Sequence, residues 1–338
     1  MANSVFSAPV DILGIGNAIV DVLARTEDDF LIANQLAKGS MRLIDEVEAE
    51  RLYQAMGPAT VISGGSAANT TVGVASLGGK ASFIGKVRQD SLGKAFTHDI
   101  RAIGVGFETA HAEEGPATAR SFILVTPDGE RTMNTYLGAC QNLGPADIDP
   151  HTVQAAAITY LEGYLWDPPA AKAAFRKAAD LAHAAGRKVS ITLSDSFCVD
   201  RYRDEFRALI TDGTIDLLLA NEHELKSLYT TSDFDSAVSA LRAEGPLTVV
   251  TRSEAGSIVI DGAAITEVSA EPIERLVDTT GAGDLFAAGF LLGHVRGFDH
   301  ARAARLGAIA AAEIIQHIGA RPQVPLQDLA TQSGLTIS

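Results

Sequence analysis

The chain is short of positive charge, cysteine, tryptophan and long apolar runs. Its 338 residues hold 27 Lys and Arg against 42 Asp and Glu, a formal net charge of −15. A nucleic-acid binder needs a basic footprint to displace counterions from phosphates, and an anionic membrane surface makes a similar demand. Neither partner is therefore expected. The two cysteines, Cys140 and Cys198, show no CxxC or zinc-type spacing and read as reduced thiols of a cytoplasmic protein. Apolar runs such as 308–312 are far too short to span a bilayer, and Met1–Pro9 has neither a basic nor an apolar leader region. Three nucleotide and metal motifs are missing too. Gly14-Ile15-Gly16 follows an apolar run, but Ile19 stands where a dinucleotide fingerprint needs glycine. Around Gly79-Lys80, Val74 and Ala81 occupy positions that a Walker A loop gives to Gly and Ser/Thr. Asn221-Glu222-His223-Glu224 holds one histidine where a zinc-binding helix needs two.

What is present is a chain able to build a large core, with 46% hydrophobic and 20% charged residues. Val10–Ile15, 158–161, 188–193, 215–219 and Leu247–Thr251 read as buried strands, separated by helical patterns. The stretch 169–185 opens with Pro169 and is followed by Gly186, the usual asymmetry of helix ends. This alternation predicts an α/β fold with a mostly parallel sheet covered by helices on both faces. In the N-terminal third, 19–24, 39–43, 119–126 and 130–137 read as strands with no helix between the nearest pairs. Thr126-Pro127-Asp128-Gly129 is a hairpin turn. We expect one domain over 1–338, with a small antiparallel sheet from about 18–45 and 115–140 inserted in the core as a lid. A lid of this kind excludes water from a reacting site.

The segment Asp278-Thr279-Thr280-Gly281-Ala282-Gly283-Asp284 leads into an apolar, helix-compatible run. Threonine is a good helix cap, and Gly281-Ala282-Gly283 leaves room for a ligand to approach the backbone. Free N–H groups at a helix start form an anion site, suited to a phosphoryl group in transit. Asp284 beside them can accept the proton of an attacking hydroxyl. Phosphoryl transfer needs mostly positioning and charge stabilisation, so a base, an anion hole and a metal suffice.

Residues 278–291 resemble the C-terminal signature of the ribokinase-like (PfkB) carbohydrate and nucleoside kinases. Gly64-Gly65-Ser66-Ala67-Ala68-Asn69-Thr70-Thr71, with Leu77-Gly78-Gly79-Lys80 and Ile84-Gly85-Lys86-Val87, resembles their N-terminal signature. Arg88 departs from the glycine often found next. The resemblance implies a three-layer α/β/α core with a small β-sheet lid, Asp284 as base, and an anion hole of Gly281, Ala282 and Gly283. It also implies that Asn221 and Glu224 organise Mg2+ mostly through water, in keeping with an ion that keeps its hydration shell. Thr251 and Gly256 would contact ATP with Asn221, Gly281 and Gly283. Arg131 would reach the phosphates, and Asp278 would belong to a monovalent-cation (K+) site. On the residues alone, Asn221 and Glu224 read equally as a helix cap with a solvated acid, and Arg131 as a surface arginine.

Gly16-Asn17-Ala18-Ile19-Val20-Asp21 ends the first strand, where ligands of α/β sheets bind. Asp21 can accept from two neighbouring hydroxyls, as a ribose diol presents. Gly64 and Gly65 permit close backbone contact, and Asn69 can both donate and accept. Ile19 stands where many sugar kinases of the family carry a polar residue, and in this the pattern resembles the adenosine kinases. Tyr136 in the lid and Tyr164 after a strand add surface for a flat base, or else pack in the core. The expected activity is ATP-dependent phosphorylation of a nucleoside 5′-hydroxyl, with adenosine going to AMP. A ribokinase or fructokinase type of sugar kinase is the alternative, and monomer and homodimer both stay open. Asp284→Asn should lower turnover by several orders of magnitude while leaving substrate affinity largely intact, in steady-state assays of phosphoryl transfer.

Overall fold

The computed structural model describes residues 9–337, so most of the Met1–Pro9 leader reading lies outside the described residues. In chain order the strands are β1 (Val10–Ile15), β2 (Ile19–Arg25), β3 (Met41–Leu43), β4 (Thr60–Gly64), β5 (Ala81–Ile84), β6 (Ala119–Val125) and β7 (Arg131–Tyr136). They continue with β8 (Ala156–Glu162), β9 (Lys188–Thr192), β10 (Leu217–Asn221), β11 (Leu247–Thr251), β12 (Ser257–Asp261) and β13 (Ala264–Val268).

Eight strands form the large sheet in the order β13-β12-β11-β10-β9-β8-β1-β5. From β5 to β11 every neighbour pair is parallel, and β12 and β13 close the edge antiparallel. Alternation along β1 explains why helices cover both faces. Ile12 joins one buried cluster, with side chains of helices Ser66–Ser76, Ala282–Val295 and His300–Ile314. Leu13 and Ile15 join the other, with helices Pro169–Ala184, Ser196–Thr211 and Phe234–Glu244. Strands buried on both faces need continuous apolar sequence, which is how these strands read.

Helix Ala282–Val295 is buried on every side from Leu285 to Gly293. A helix apolar all round belongs inside, between other helices. Missing side chains let its neighbours come close. A Cβ at Gly73 would sit 2.6 Å from the Ala288 Cβ, one at Gly289 would sit 2.5 Å from the Gly307 nitrogen, and one at Gly307 would sit 2.6 Å from the Phe286 carbonyl oxygen.

The second sheet runs β3-β7-β6-β2-β4 and differs from expectation in three ways. It is mixed, because β2 pairs β6 and β3 pairs β7 in parallel, while β2–β4 and β6–β7 are antiparallel. Its edge strand β4 comes from outside 18–45 and 115–140. Five residues long and exposed at its start, that strand carries too little alternation to be seen. A six-residue helix, Asp28–Ala33, also lies between β2 and β3. Among the described residues no helix is long and apolar enough to cross a membrane.

Gly289→Val should force the two helices apart, at a cost of about 1–3 kcal/mol typical of overpacking. Urea denaturation of the purified variant reads this directly, as a lower midpoint at unchanged slope.

Candidate active site

A cavity of about 640 Å³ opens at the carboxyl ends of the central strands. Asn17, Glu162, Thr192, Asn221 and Thr251 reach it from the ends of β1, β8, β9, β10 and β11. Ile19, Asp21, Leu43, Ile123, Met133 and Thr135 reach it from the second sheet. The cavity lies between the two sheets, at the end of the α/β core where ligands collect.

Gly281 caps helix Ala282–Val295 with φ 80°, a left-handed value that favours glycine. A Cβ there would also press on Ala320, 2.8 Å away. A Cβ at Gly283 would meet nothing within 4 Å, so Gly283 faces open space in the cavity wall. The N–H groups of Gly283 and Asp284 find no acceptor among the described residues. Two free donors at the positive end of a 14-residue helix make an anion site. Ala282 is spent on the turn, its N–H donating to the Thr279 carbonyl at 3.2 Å.

The Asp284 carboxylate is gripped from a neighbouring helix. Ser66 Oγ donates to Oδ1 at 2.6 Å, and Asn69 Nδ2 donates to Oδ2 at 2.9 Å. Burial pushes its pKa up to about 6, against the pull of those two donors and of Arg321. A carboxylate with a pKa near neutrality is a better proton acceptor than an ordinary one, yet still ionised at pH 7.

Asp278 is fully engaged. Its Oδ1 accepts from Arg131 and from the Thr280 N–H at 2.9 Å, and its Oδ2 accepts from the Gly319 N–H at 2.8 Å. Arg131 also donates to the Thr280 hydroxyl. Its guanidinium thus reaches from the second sheet to the loop before the anion site. A monovalent cation would have to compete with it for Asp278.

On the acceptor side, Asn17, Ile19, Asp21, Gly65, Asn69 and Tyr164 all line the cavity. A Cβ at Gly64 would collide with the Asp21 carboxylate. One at Gly65, which has φ 101°, would run into the Asn17 carbonyl. Both glycines are thus required by local packing. Burial raises Asp21 to about 6, opposed by Arg321 and Arg131. Tyr136 is not on the cavity wall. Its hydroxyl bonds Glu46 at 3.1 Å and its ring lies beside Arg120. Met133, Thr135 and Leu137 line the cavity, so strand alternation turns Tyr136 to the other face. Phe197, 77% exposed at the cavity rim, supplies an aromatic surface that the sequence did not single out.

Asn221 and Glu224 form a reciprocal capping box at the start of helix Glu222–Leu228. The Glu224 N–H donates to Asn221 Oδ1 at 2.9 Å, and the Asn221 N–H donates to Glu224 Oε2 at 3.0 Å. The cap and the cavity lining are therefore the same two residues. Burial raises Glu224 to about 7. Asp195 lines the same region after Ser194, which adopts φ 72°. Among the described residues, no three His, Cys, Asp or Glu gather closely enough to hold a metal directly. These oxygens suit a hydrated ion such as Mg2+, held at second hand with phosphates completing its shell. Thr251 lines the cavity, whereas Gly256 does not. Gly256 has φ 81° and its N–H donates to the Ser253 carbonyl at 3.0 Å; a Cβ there would strike the Val268 carbonyl.

Glu162 was not singled out in the sequence, where it follows the strand read at 158–161; in the structure it ends β8. It is buried, and accepts from Asn17 Nδ2 at 2.7 Å and from the Ala67 N–H at 2.9 Å. Burial raises it to about 7. It ties the turn after β1 to the start of the helix that carries Asn69.

This sheet order, with a smaller sheet beside the strand ends, is the ribokinase-like fold, a class of small-molecule kinases. The chain belongs to the pfkB family of carbohydrate kinases, whose profile matches residues 40–327. A solved adenosine kinase from Sinorhizobium meliloti is 54% identical over 96% of this chain and 100% of its own, with a TM-score of 0.90. A probable sugar kinase from Rhizobium etli CFN 42 is 52% identical over 97% and 99%, with a TM-score of 0.91. An ATP-dependent ribose-1-phosphate kinase from Halopiger xanaduensis is 32% identical over 76% of this chain and 83% of its own length. The chain is thus a phosphotransferase acting on a nucleoside or a sugar.

The raised Asp21 and Asp284 predict an acid limb in the pH profile. Both groups are ionised well above about 6 and protonated below it. With Asp284 as the base expected from the sequence, its protonation would block removal of the hydroxyl proton, and kcat/KM should fall as pH drops through about 6. The Asp284 charge disfavours ionisation of Asp21, so the pair loses its protons in separate steps, and the limb should start with the slope of one titration and steepen only at lower pH. A profile flat down to pH 5 would remove Asp284 from the role of base.

Proposed function

We propose that the protein is an ATP-dependent kinase that phosphorylates the 5′-hydroxyl of a nucleoside, with adenosine as the acceptor and AMP as the product. The observation that carries this reading is the cavity wall beside Asp21. Ile19, Leu43, Ile123, Met133 and Leu137 line it, and Tyr164 and Phe197 line the same cavity from the side of the large sheet. A purine can be buried against such a surface, which offers little to a polyhydroxyl ring. Asp21 accepts from the ribose diol and leaves the 5′-hydroxyl toward Asp284.

In this reading Asp284 removes the hydroxyl proton as the γ-phosphoryl group passes to oxygen. The free Gly283 and Asp284 N–H groups stabilise the charge on the transferring group. Arg131 adds a guanidinium beside them, and the second sheet acts as a lid. Asn221 and Glu224 would hold a hydrated magnesium ion, which would supply charge neutralisation for the phosphates. Thr251 contributes to the nucleotide side. The 54% identical neighbour is named an adenosine kinase, which agrees with this acceptor. The sugar-kinase reading is kept by the 52% identical neighbour, named a probable sugar kinase.

Side-by-side assay of adenosine, other nucleosides, ribose, ribose 1-phosphate and fructose with ATP and magnesium separates the two. Adenosine should be preferred over each free sugar by at least about 100-fold in kcat/KM, the scale of a lost aromatic contact with added desolvation. A sugar turned over well, with adenosine inert, would retire the purine pocket and leave the transfer chemistry standing.

A further inference from the structure

Arg321 lies on the segment after helix His300–Ile314 and belongs to neither family signature. Its Nη1 donates to Asn69 Oδ1 at 2.8 Å, and its Nη2 donates to the Ser63 carbonyl and to Ser63 Oγ, the latter at 2.8 Å. Its Nε is buried without a partner. Asn69 is the side chain whose Nδ2 holds Asp284. Ser63 is in β4, where it pairs with Val20 of β2, next to Asp21. One planar fork therefore joins the strand pair that carries the acceptor carboxylate to the helix that grips the proposed base.

We propose that Arg321 is a positioning residue for the transfer reaction, one that locks the Asn69 amide and ties the acceptor strands to Asp284; this rests on the kinase reading above. The logic is that of an amide with two ends. A guanidinium has only donors, so the Asn69 end that meets it must be the carbonyl oxygen. The NH2 end is then fixed on Asp284. With a flipped amide, an oxygen would face the carboxylate and repel it. The second tooth of the fork sets the spacing between Asp21 and Asp284, which decides whether a hydroxyl held by the first reaches the second. Displacements of this kind cost turnover steeply.

Charge is the second part of the role. Asp284 is faced by Asp21 from β2, by Tyr160 and Glu162 from β8, and by Tyr164. Arg321 is the cation set against it, and with Arg131 also against Asp21. Arg321 thus favours the ionised forms that the reaction needs.

The test compares wild type, R321Q, R321K and D284N in acceptor phosphorylation across pH, with thermal melts of each. R321Q should lose at least about tenfold in kcat, the scale of a lost charged hydrogen bond. Its acid limb should move to higher pH. R321K should also lose kcat, because one ammonium cannot span Asn69 and Ser63 as a fork does. Its acid limb should stay near that of wild type, because the charge remains. Both variants turning over within twofold of wild type would overturn the proposal. So would a loss of activity that follows the melting temperature alone, with the limb of R321Q unmoved. If R321Q does not fold, R321K decides by its kcat, and a wild-type value overturns the role. A wild-type enzyme sensitive to D284N but indifferent to Arg321 sinks this inference alone. A wild-type protein that phosphorylates no nucleoside or sugar, or a fully active D284N, sinks the kinase reading and this inference with it.

Discussion

The grip on Asp284 depends on how closely two helices can pack. Ser66 and Asn69 have short side chains, and they reach the carboxylate from a separate helix at 2.6 and 2.9 Å. That reach exists because Gly73, on the helix of Ser66 and Asn69, packs on Leu285 and Ala288 with no Cβ of its own. The small residues around Asp284 thus do two jobs along one helix. At its start, Gly281 and Gly283 open the backbone to an anion. Further along, the small Ala288 lets Gly73 bring the neighbouring helix close enough to hold the side chain still. Close-packed interiors transmit such spacing with little give, so helix packing and carboxylate position are one constraint.

The second constraint is the joint between the sheets. β1 ends at Ile15 and β2 begins at Ile19, so the chain passes from one sheet to the other in three residues. Asn17 is in that passage, pinned by Glu162, and Glu162 also takes the Ala67 N–H. A single buried carboxylate thereby fixes the turn and the start of the Asn69 helix. Gly64 and Gly65 give way to Asp21 and to the Asn17 carbonyl. The acceptor side and the proposed base side are each rigid, and β4 with Arg321 links them.

What could be read in the sequence was what is contiguous. Residues 278–284 carry the N–H groups and the carboxylate in one stretch, and the structure places them together at one helix start, though the cap is Gly281 with no side-chain bond and not Thr279 or Thr280. The parallel core was legible because doubly buried strands are apolar throughout. The second sheet was legible in part, since β4 is five residues long and its partner β2 lies some forty residues away. Tyr136 misled because a strand's pocket face and packing face differ by one residue. Met133, Thr135 and Leu137 point inward, and Tyr136 turns away to Glu46. Arg321 and Glu162 could not be read at all. Their partners lie 252 and 145 residues away respectively, and neither has a local pattern that announces it.

Charge ties these elements together. Asp21, Asp284, Glu162 and Glu224 are all raised by burial, so carboxylates crowd a cavity proposed to receive a polyphosphate. Arg321 is committed to Asn69 and Ser63, whereas Arg131 spends Nη1 on Asp278 and Thr280 and keeps Nε and Nη2 without a partner among the described residues. Anion binding would then rest on the dipole of one helix start, on the unpartnered nitrogens of Arg131 and on whatever cation arrives with the nucleotide. A site this rich in carboxylates repels a bare triphosphate more than its metal complex. On this balance the proposed demand for a divalent ion would come from the electrostatics of the cavity as a whole, beyond the two residues of the Asn221–Glu224 cap.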